Sequence, residues 1–515
     1  MSTRGVASVA VVLAVVLATA PPCALDDRAG ELSAVVTTPP ATDLPSDSEE
    51  TATPLQAKGG SFSKRQGVGD QQVTGVGFQP KALILFGTTQ SSEGFAGGYQ
   101  VSVGFSDGSN SGSIGGWSWD HHNFPVGGSD ADCAQVDKSG QPAALLYVET
   151  IGGIAAAATV RSLDPDGFTL DWSVDKYGKP WIIHYLAIGG DELTDARVGM
   201  LDAANHVAGK VSYQTGFQPD LVFFLGVRYR TSYPHLNFPL NLSLGFATDE
   251  FHQGTVAVAS EDAGRNPTDT WRYQRTDRCI AFLSPGSGDL ESEAEFVSMD
   301  DDGFTLDWTD AASEDRSFYY LALKGGGYYV GNEAQPSGPT GSVTTTGLGF
   351  EPVGLLLASF NRPASNVNEP DNRLSVGAAS APDQQASIWA GDTDNVVNDT
   401  HTDKGSFGGA ALVLSNADDP TAYDAAATLR SLDADGFTLG WTRADADPRQ
   451  FLFVAFGSTL KGGESAVGGI AEAPPFDADS PADRRGASPP SALVLAALAA
   501  GGALLLAAGA RSVRR

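Results

Sequence analysis

ATVRSLDPDGFTLDW, residues 158–172, decides the fold. ATVRSL precedes an acidic, glycine-ended break and FTLDW follows it. A short Asp-Gly loop between two strand-like stretches is a β-hairpin turn. The phrase returns as MDDDGFTLDWT at 299–309 and LDADGFTLGWT at 432–442, offset by 136 and then 133 residues. Other segments repeat with it in constant order. VGFQPKALILFG (76–87), TGFQPDLVFFLG (215–226) and LGFEPVGLLLAS (348–359) open the copies, and YQVSVGFS (99–106), NLSLGFAT (241–248) and RLSVGAAS (373–380) follow. AALLYVE (143–149), CIAFLSP (279–285) and AALVLSN (410–416) precede the hairpin. WIIHYLAIGG (181–190), SFYYLALKGG (317–326) and QFLFVAFG (450–457) close the copies. A threefold internal repeat is the strongest organising signal in the chain.

In YQVSVGFS, Val101, Val103 and Phe105 alternate with Gln100, Ser102 and Gly104. The aligned copies place Leu242, Leu244, Phe246 and Leu374, Val376, Ala378 on the same face. A period of two predicts one face in a core and the other toward solvent. KALILFG and LVFFLGV are apolar throughout, which predicts burial on both faces. Gly and Pro punctuate every join, and no amphipathic helix of useful length lies between residues 60 and 460. The expected fold class is all-β: three tandem antiparallel β-sandwich domains, jelly-roll-like, at 57–190, 191–325 and 326–460 (copies 1, 2 and 3 below). Each needs about six to eight short strands, and a domain of this size buries about two-thirds of its unfolded surface.

The 515 residues carry a formal net charge of −30, with 18% charged and 41% hydrophobic residues and 61 glycines. That is a folded, turn-rich composition, and its acidity argues against a nucleic-acid partner. Residues 1–25 (one Arg, an apolar run, then small residues) read as a signal peptide. Residues 26–56 and 461–490, rich in Pro, Ala, Ser, Gly and acid, read as disordered stalk and linker. In 491–515, the 19 apolar residues from Ala492 to Ala510 would span ~28 Å as a helix, and Arg511, Arg514 and Arg515 favour a cytoplasmic end. A permanent transmembrane helix and a processed sorting segment both fit. Either way the expected location is the extracellular face of the cell envelope. Cys23 leaves with the signal peptide; Cys133 and Cys279 lie in different copies, unaligned, so that a disulfide between copies and two separate thiols both remain open.

The acidic pairs Asp164 and Asp166, Asp300 and Asp302, and Asp433 and Asp435 read as turn residues. Calcium is the alternative, although a DxDxDG run with a distal Glu is absent. GFSDG (104–108) matches a serine-hydrolase pattern around Ser106, but no helix follows to form the required elbow. WDHH (119–122) offers Asp120, His121 and His122 without equivalents in the other copies. No enzyme is expected, and no cofactor beyond the calcium alternative. Phe168 with Trp172, Phe304 with Trp308 and Phe437 with Trp441 share a strand face and read as core. Trp117, Trp119, Tyr229, Tyr233, Trp271 and Trp389 fall in loop-like stretches that differ among copies, and aromatic rings beside Asn and Asp are equipment for binding sugars. Asn241 (NLS) and Asn398 (NDT) are candidate glycosylation acceptors.

The succession from GF-x-P and an apolar strand to ATVRSLDPDGFTLDW and WIIHYLAIG resembles the H-type lectin domain of invertebrate agglutinins and discoidins. Gly167-Phe168 with Leu186-Ala187-Ile188, Gly303-Phe304 with Leu321-Ala322-Leu323, and Gly436-Phe437 with Val454-Ala455-Phe456 carry the likeness, over about half of each copy. The segments are also similar to uncharacterised β-sandwich repeats of phage and bacterial surface proteins. Each copy here is longer, with an insertion between the alternating and apolar strands. The resemblance implies a six-stranded sandwich that often forms trimers with sugar sites at subunit contacts, so three joined copies are expected to mimic a trimer; none of the family's sugar-binding residues maps onto this chain. The expected function is surface binding or adhesion, with a surface glycan or another envelope or extracellular ligand as partner and the membrane engaged through the C-terminal helix. An architectural envelope protein is the second reading and a secreted hydrolase the third.

Overall fold

The computed structural model describes residues 52–120, 129–135, 143–149, 153–201, 208–227, 239–261, 269–310, 317–362, 367–394, 402–415, 423–443 and 448–459. The expected signal peptide and C-terminal segment lie outside them. Among the described residues every regular element is a strand, and no helix is long and apolar enough to cross a membrane.

Copy 1 contributes β1 (Gln56–Ser63), β2 (Gly69–Thr74), β3 (Pro80–Gly87), β4 (Gly94–Gly97), β5 (Tyr99–Ser106) and β6 (Ser111–Asp120). It continues with β7 (Ser129–Gln135), β8 (Leu145–Glu149), β9 (Gly153–Asp164), β10 (Gly167–Asp175) and β11 (Ile182–Gly189). Copy 2 contributes β12 (Asp195–Leu201), β13 (Gly209–Gln214), β14 (Leu221–Val227), β15 (Leu240–Ala247) and β16 (Gln253–Ser260). Then come β17 (Thr270–Arg275), β18 (Ile280–Leu283), β19 (Leu290–Asp300), β20 (Gly303–Asp310) and β21 (Ser317–Lys324). Copy 3 contributes β22 (Gly327–Ala334), β23 (Gly341–Thr346), β24 (Pro352–Ser359), β25 (Glu369–Pro370), β26 (Asn372–Ala381) and β27 (Gln384–Asp392). It ends with β28 (Asp403–Phe407), β29 (Leu412–Ser415), β30 (Tyr423–Asp433), β31 (Gly436–Arg443) and β32 (Gln450–Gly457). Ten or eleven strands per copy among the described residues exceed the six to eight expected, because Gly-, Ser- and Ala-rich strands such as β6, β16 and β27 carry no apolar alternation strong enough to read.

Each copy builds a large and a small antiparallel sheet. Sheet β1-β11-β3-β5-β6-β7 faces β2-β10-β9-β8; β12-β21-β14-β15-β16-β17-β25 faces β13-β20-β19-β18; β22-β32-β24-β26-β27-β28-β4 faces β23-β31-β30-β29. Between the sheets lie Leu83, Leu85, Phe168 and Trp172 in copy 1, Val222, Phe224, Phe304 and Trp308 in copy 2, and Leu355, Leu357, Phe437 and Trp441 in copy 3. The repeated hairpin thus supplies the floor of every sandwich. Its connection is two residues long, because Asp164 pairs with Gly167, Asp300 with Gly303 and Asp433 with Gly436. A Cβ on any of these glycines would collide with a carbonyl of the next strand, that of Val73, Tyr213 or Thr345. Close strand approach, common to all three copies, is the reason for glycine here.

The alternating strands differ from expectation in an instructive way. All eight residues of β5 are buried, as are all eight of β15. Their polar faces meet the small sheet: Gln100 Nε2 donates to Val148 O at 2.7 Å, and Leu146 N donates to Ser102 Oγ at 3.0 Å. Gly104, Gly245 and Gly377 let the carbonyls of Ala144, Cys279 and Ala411 press directly on them, where any Cβ would clash. Their apolar faces point away from their own sandwich into one central core shared by all three copies. There Ile84, Val101 and Phe105 meet Phe223, Leu244 and Phe246 and also Leu356, Val376 and Phe456. Within it remains a cavity of about 10 Å³ lined by aliphatic side chains of every copy, too apolar for water to be held well.

The ring is also closed by exchanged elements. β25 of copy 3 extends the large sheet of copy 2 beyond β17, and β4 of copy 1 extends that of copy 3 beyond β28. Arg272 and Lys404 occupy equivalent positions under these exchanged strands, opposite Val258 and Ala390. Lys404 Nζ donates to Gly97 O and Gly98 O, both at 3.0 Å, and burial lowers its pKa to about 8. Arg272 lies 3.7 Å from Asp371 and 3.9 Å from Glu369; burial, then neighbouring Arg373, draws it down to about 9. The β5–β6 turn of copy 1 reaches copy 2, where Val198 N donates to Asp107 at 2.8 Å. The β26–β27 turn of copy 3 reaches copy 1, where Gly59 N donates to Ser380 Oγ at 2.8 Å.

Both ends of the body meet at one residue. Glu192 accepts from Leu55 N at 2.9 Å, and from Ser458 Oγ, Thr459 N and Thr459 Oγ1 at 2.5, 2.6 and 2.5 Å. Burial raises its pKa, but these donors outweigh burial and hold it below the ordinary glutamate value. The stalk expected over 26–56 therefore stops short of Leu55, which is 1% exposed and packs into the central core.

Two outcomes follow from the shared core. Phe223 stacks on Phe456 of copy 3 at 6.1 Å, so Phe223→Ala is expected to lower unfolding free energy by about 3–5 kcal/mol, read by denaturant titration. Unfolding should remain one transition; separate transitions for the copies would contradict the common core. The second outcome concerns His184, buried between Ser61 Oγ of copy 1 (2.6 Å) and Ser406 Oγ of copy 3 (2.9 Å), its pKa lowered by burial from 6.5 to about 4. The unfolded chain takes this proton first. The stability it confers is therefore whole above pH 6.5 and lost as pH falls toward about 4, by an amount on the order of 3 kcal/mol. A His184→Gln variant measured beside the parent at both ends of that window should lack this component.

Candidate functional site

The acidic hairpin residues act as acceptors for their own loops. Asp166 takes Gly75 N at 3.1 Å and Gly77 N at 2.7 Å, and Asp435 takes Gly347 N at 3.0 Å and Gly349 N at 2.6 Å. Asp164, Asp300 and Asp433 accept from Thr169, Thr305 and Thr438 across the hairpin at 2.7, 2.6 and 3.0 Å. Asp302 holds copy 2 through its backbone, its carbonyl accepting from Thr215 N at 2.8 Å. Among the described residues no group of three or more His, Cys, Asp or Glu is placed to hold a metal ion.

The aromatic residues expected on loops stand mostly on strands. Trp117 and Trp119 lie on β6, Trp271 on β17 and Trp389 on β27. Trp117 and Trp389 are buried and present no ring to a ligand; Trp389 packs against Phe95 of copy 1 at 5.7 Å. Trp271 is half-buried against Ala259 and Leu283. Trp119 keeps 45% exposure while its ring covers Gly98. Tyr229, Tyr233 and Asn398 lie outside the described residues, as do His121 and His122. Asn241 is fully buried in β15, where its amide donates to Leu283 O, so the folded chain does not offer it for glycosylation. Ser106 is buried in the β5–β6 turn and bonded to Asn110 O at 2.8 Å. The Cys279 thiol is free and buried, its pKa raised by burial. Lys64 is buried too, paired with Asp175 at 2.8 Å and packed on Trp172.

A different place gathers exposed aromatic and polar groups. The β15–β16 turn of copy 2, ATDEFHQG (247–254), leans on β22 of copy 3, and between them opens a cleft of about 280 Å³. Phe251 stands at its rim, 78% exposed. His252 is fixed by Asp249 at 2.8 Å and packs at a tilt against Tyr329, ring centres 4.7 Å apart; Tyr329 in turn lies parallel to Phe453 at 6.0 Å. Asn332, Glu333 and Thr346 supply the polar lining. Burial raises the pKa of Glu333, only partly offset by Thr345 Oγ1, which donates to it at 3.3 Å.

These residues were not found from sequence, although one signal was present. The equivalent turns, SDGSNSG (106–112) and SAPDQQA (380–386), contain no aromatic residue, so Phe251 stands out once the copies are aligned. Compared with known proteins, the chain matches no family model and no curated protein.

The hairpin geometry yields a direct check on calcium. Asp435→Ala removes the acceptor for two loop amides and is expected to lower stability by about 1–2 kcal/mol. If the carboxylates act only as such acceptors, a chelator leaves the parent melting temperature unchanged; a fall on chelation would instead establish a calcium site.

Proposed function

We propose that this protein is a surface-displayed binding protein: three β-sandwich modules fused into a head, delivered by an N-terminal signal peptide and held at the extracellular face by its C-terminal segment. The carrying observation is the cleft between copies 2 and 3, where Phe251 offers an exposed ring beside Asn332, Glu333 and Thr346. A ring face above convergent hydroxyl, amide and carboxylate groups suits a sugar, whose apolar face stacks while its hydroxyls are hydrogen-bonded. The volume, about 280 Å³, is that of a small-molecule site rather than of an extended protein interface. The meeting of the two ends of the described body, Leu55 and Thr459, at Glu192 supports display, since both flanking segments then depart from one point. The likeness to H-type lectins favours the same reading, with three copies standing in for three subunits.

A glycan array probed with the full-length protein tests it. Bound glycans are expected, and Phe251→Ala should weaken the signal about tenfold or more while leaving the melting temperature within a degree or so, because the ring is exposed. An empty array, or binding indifferent to Phe251, would remove the proposal.

A further inference from the structure

The cleft contains one residue that breaks the pattern of its own repeat. The first strand of each copy pairs with the last, and register places Phe62 opposite Ile183, Leu201 opposite Phe318, and Glu333 opposite Phe451. Phe62 packs edge-on to Phe168 at 6.0 Å, and Leu201 is 2% exposed within its sandwich core. Copy 3 puts a carboxylate at the same position. A sequence that departs from its own apolar pattern without a structural partner marks a site rather than a scaffold. Its sole polar contact within the described residues is the long one from Thr345, and no Lys, Arg or His nitrogen there pairs with it.

The surroundings say what would complete it. Of the residues lining the cleft, Glu333 is the only acid; His252, the only base, already has its Nδ1 against Asp249. Aromatic walls, here Phe251 and the Tyr329–Phe453 stack, favour a cation over an anion through their ring quadrupoles. The field of a chain with net charge −30 also draws cations toward its surface. Withdrawal from water makes this carboxylate harder to ionise alone, and an arriving cation restores what burial takes away.

We propose that the cleft between copies 2 and 3 takes a sugar bearing a protonated primary amine, with Glu333 pairing the ammonium group and Phe251 covering the apolar face of the ring. The carbohydrate half rests on the function proposed above; the charge half rests on Glu333 alone.

Calorimetric titration of the full-length protein with glucosamine, glucose and n-propylamine, at about pH 6 where the amines are protonated, separates the two. Glucosamine is expected to bind about tenfold or more tightly than glucose, the advantage shrinking with added salt. Glu333→Gln should abolish that advantage while keeping the parent's melting temperature or raising it, since an unpaired, partly buried charge is removed. Equal binding of glucosamine and glucose, or an undiminished preference in Glu333→Gln, overturns the charge proposal and leaves the carbohydrate reading standing. Propylamine binding as tightly as glucosamine supports the charge proposal and overturns the carbohydrate half. Binding of none of the three overturns both.

Discussion

Everything in this architecture depends on the apolar faces of β5, β15 and β26 being buried against one another. Each sandwich has two hydrophobic surfaces: one between its own sheets and one on the outside of its large sheet. The second is costly to leave in water, because Val101, Val103, Phe105 and their counterparts form one continuous apolar surface. Three such sheets closing on one axis bury it completely. The exchanged strands β4 and β25, the cations beneath them and the turn contacts are consequences of that closure, because a sheet pressed inward brings its edge against its neighbour's loop.

The symmetry is apolar far more than polar. Aliphatic and aromatic residues recur in register around the axis, while the polar groups at equivalent points diverge: Gln100, Asn241 and Arg373 in one set, and Arg272 and Lys404 in another. Packing needs only volume and lack of charge, so it tolerates repetition and preserves it. Hydrogen bonds and charges need specific partners, and each joint has found its own. The Phe251 turn and Glu333 belong to this second, divergent layer, which is where three nearly equal joints become chemically distinct.

The all-β class and the strands carrying strong patterns were legible because β-branched and aromatic alternation has one period and one meaning. The role of the hairpin was legible too: Phe168 and Trp172, an even number apart, had to share a face, and they fill the first sandwich. What period two could not reveal is which face meets water. In β5 neither does, since Ser102 and Gly104 are small enough for β8 to settle on them. Strands built of Gly, Ser and Ala, such as β6, have no period that sets them apart from loops, so Trp117 is buried where the sequence predicts a surface. Glu333 was illegible for another reason. A glutamate in GYYVGNEA is unremarked until register sets it beside Phe62 and Leu201.

The knot at Glu192 has a mechanical meaning. The chain enters at Thr53–Leu55 and leaves at Ser458–Thr459, and both points are fastened to the same short connection between the first and second sandwiches. Force applied between Leu55 and Ser458 would therefore load these few hydrogen bonds at Glu192 before it reached the sheets they flank.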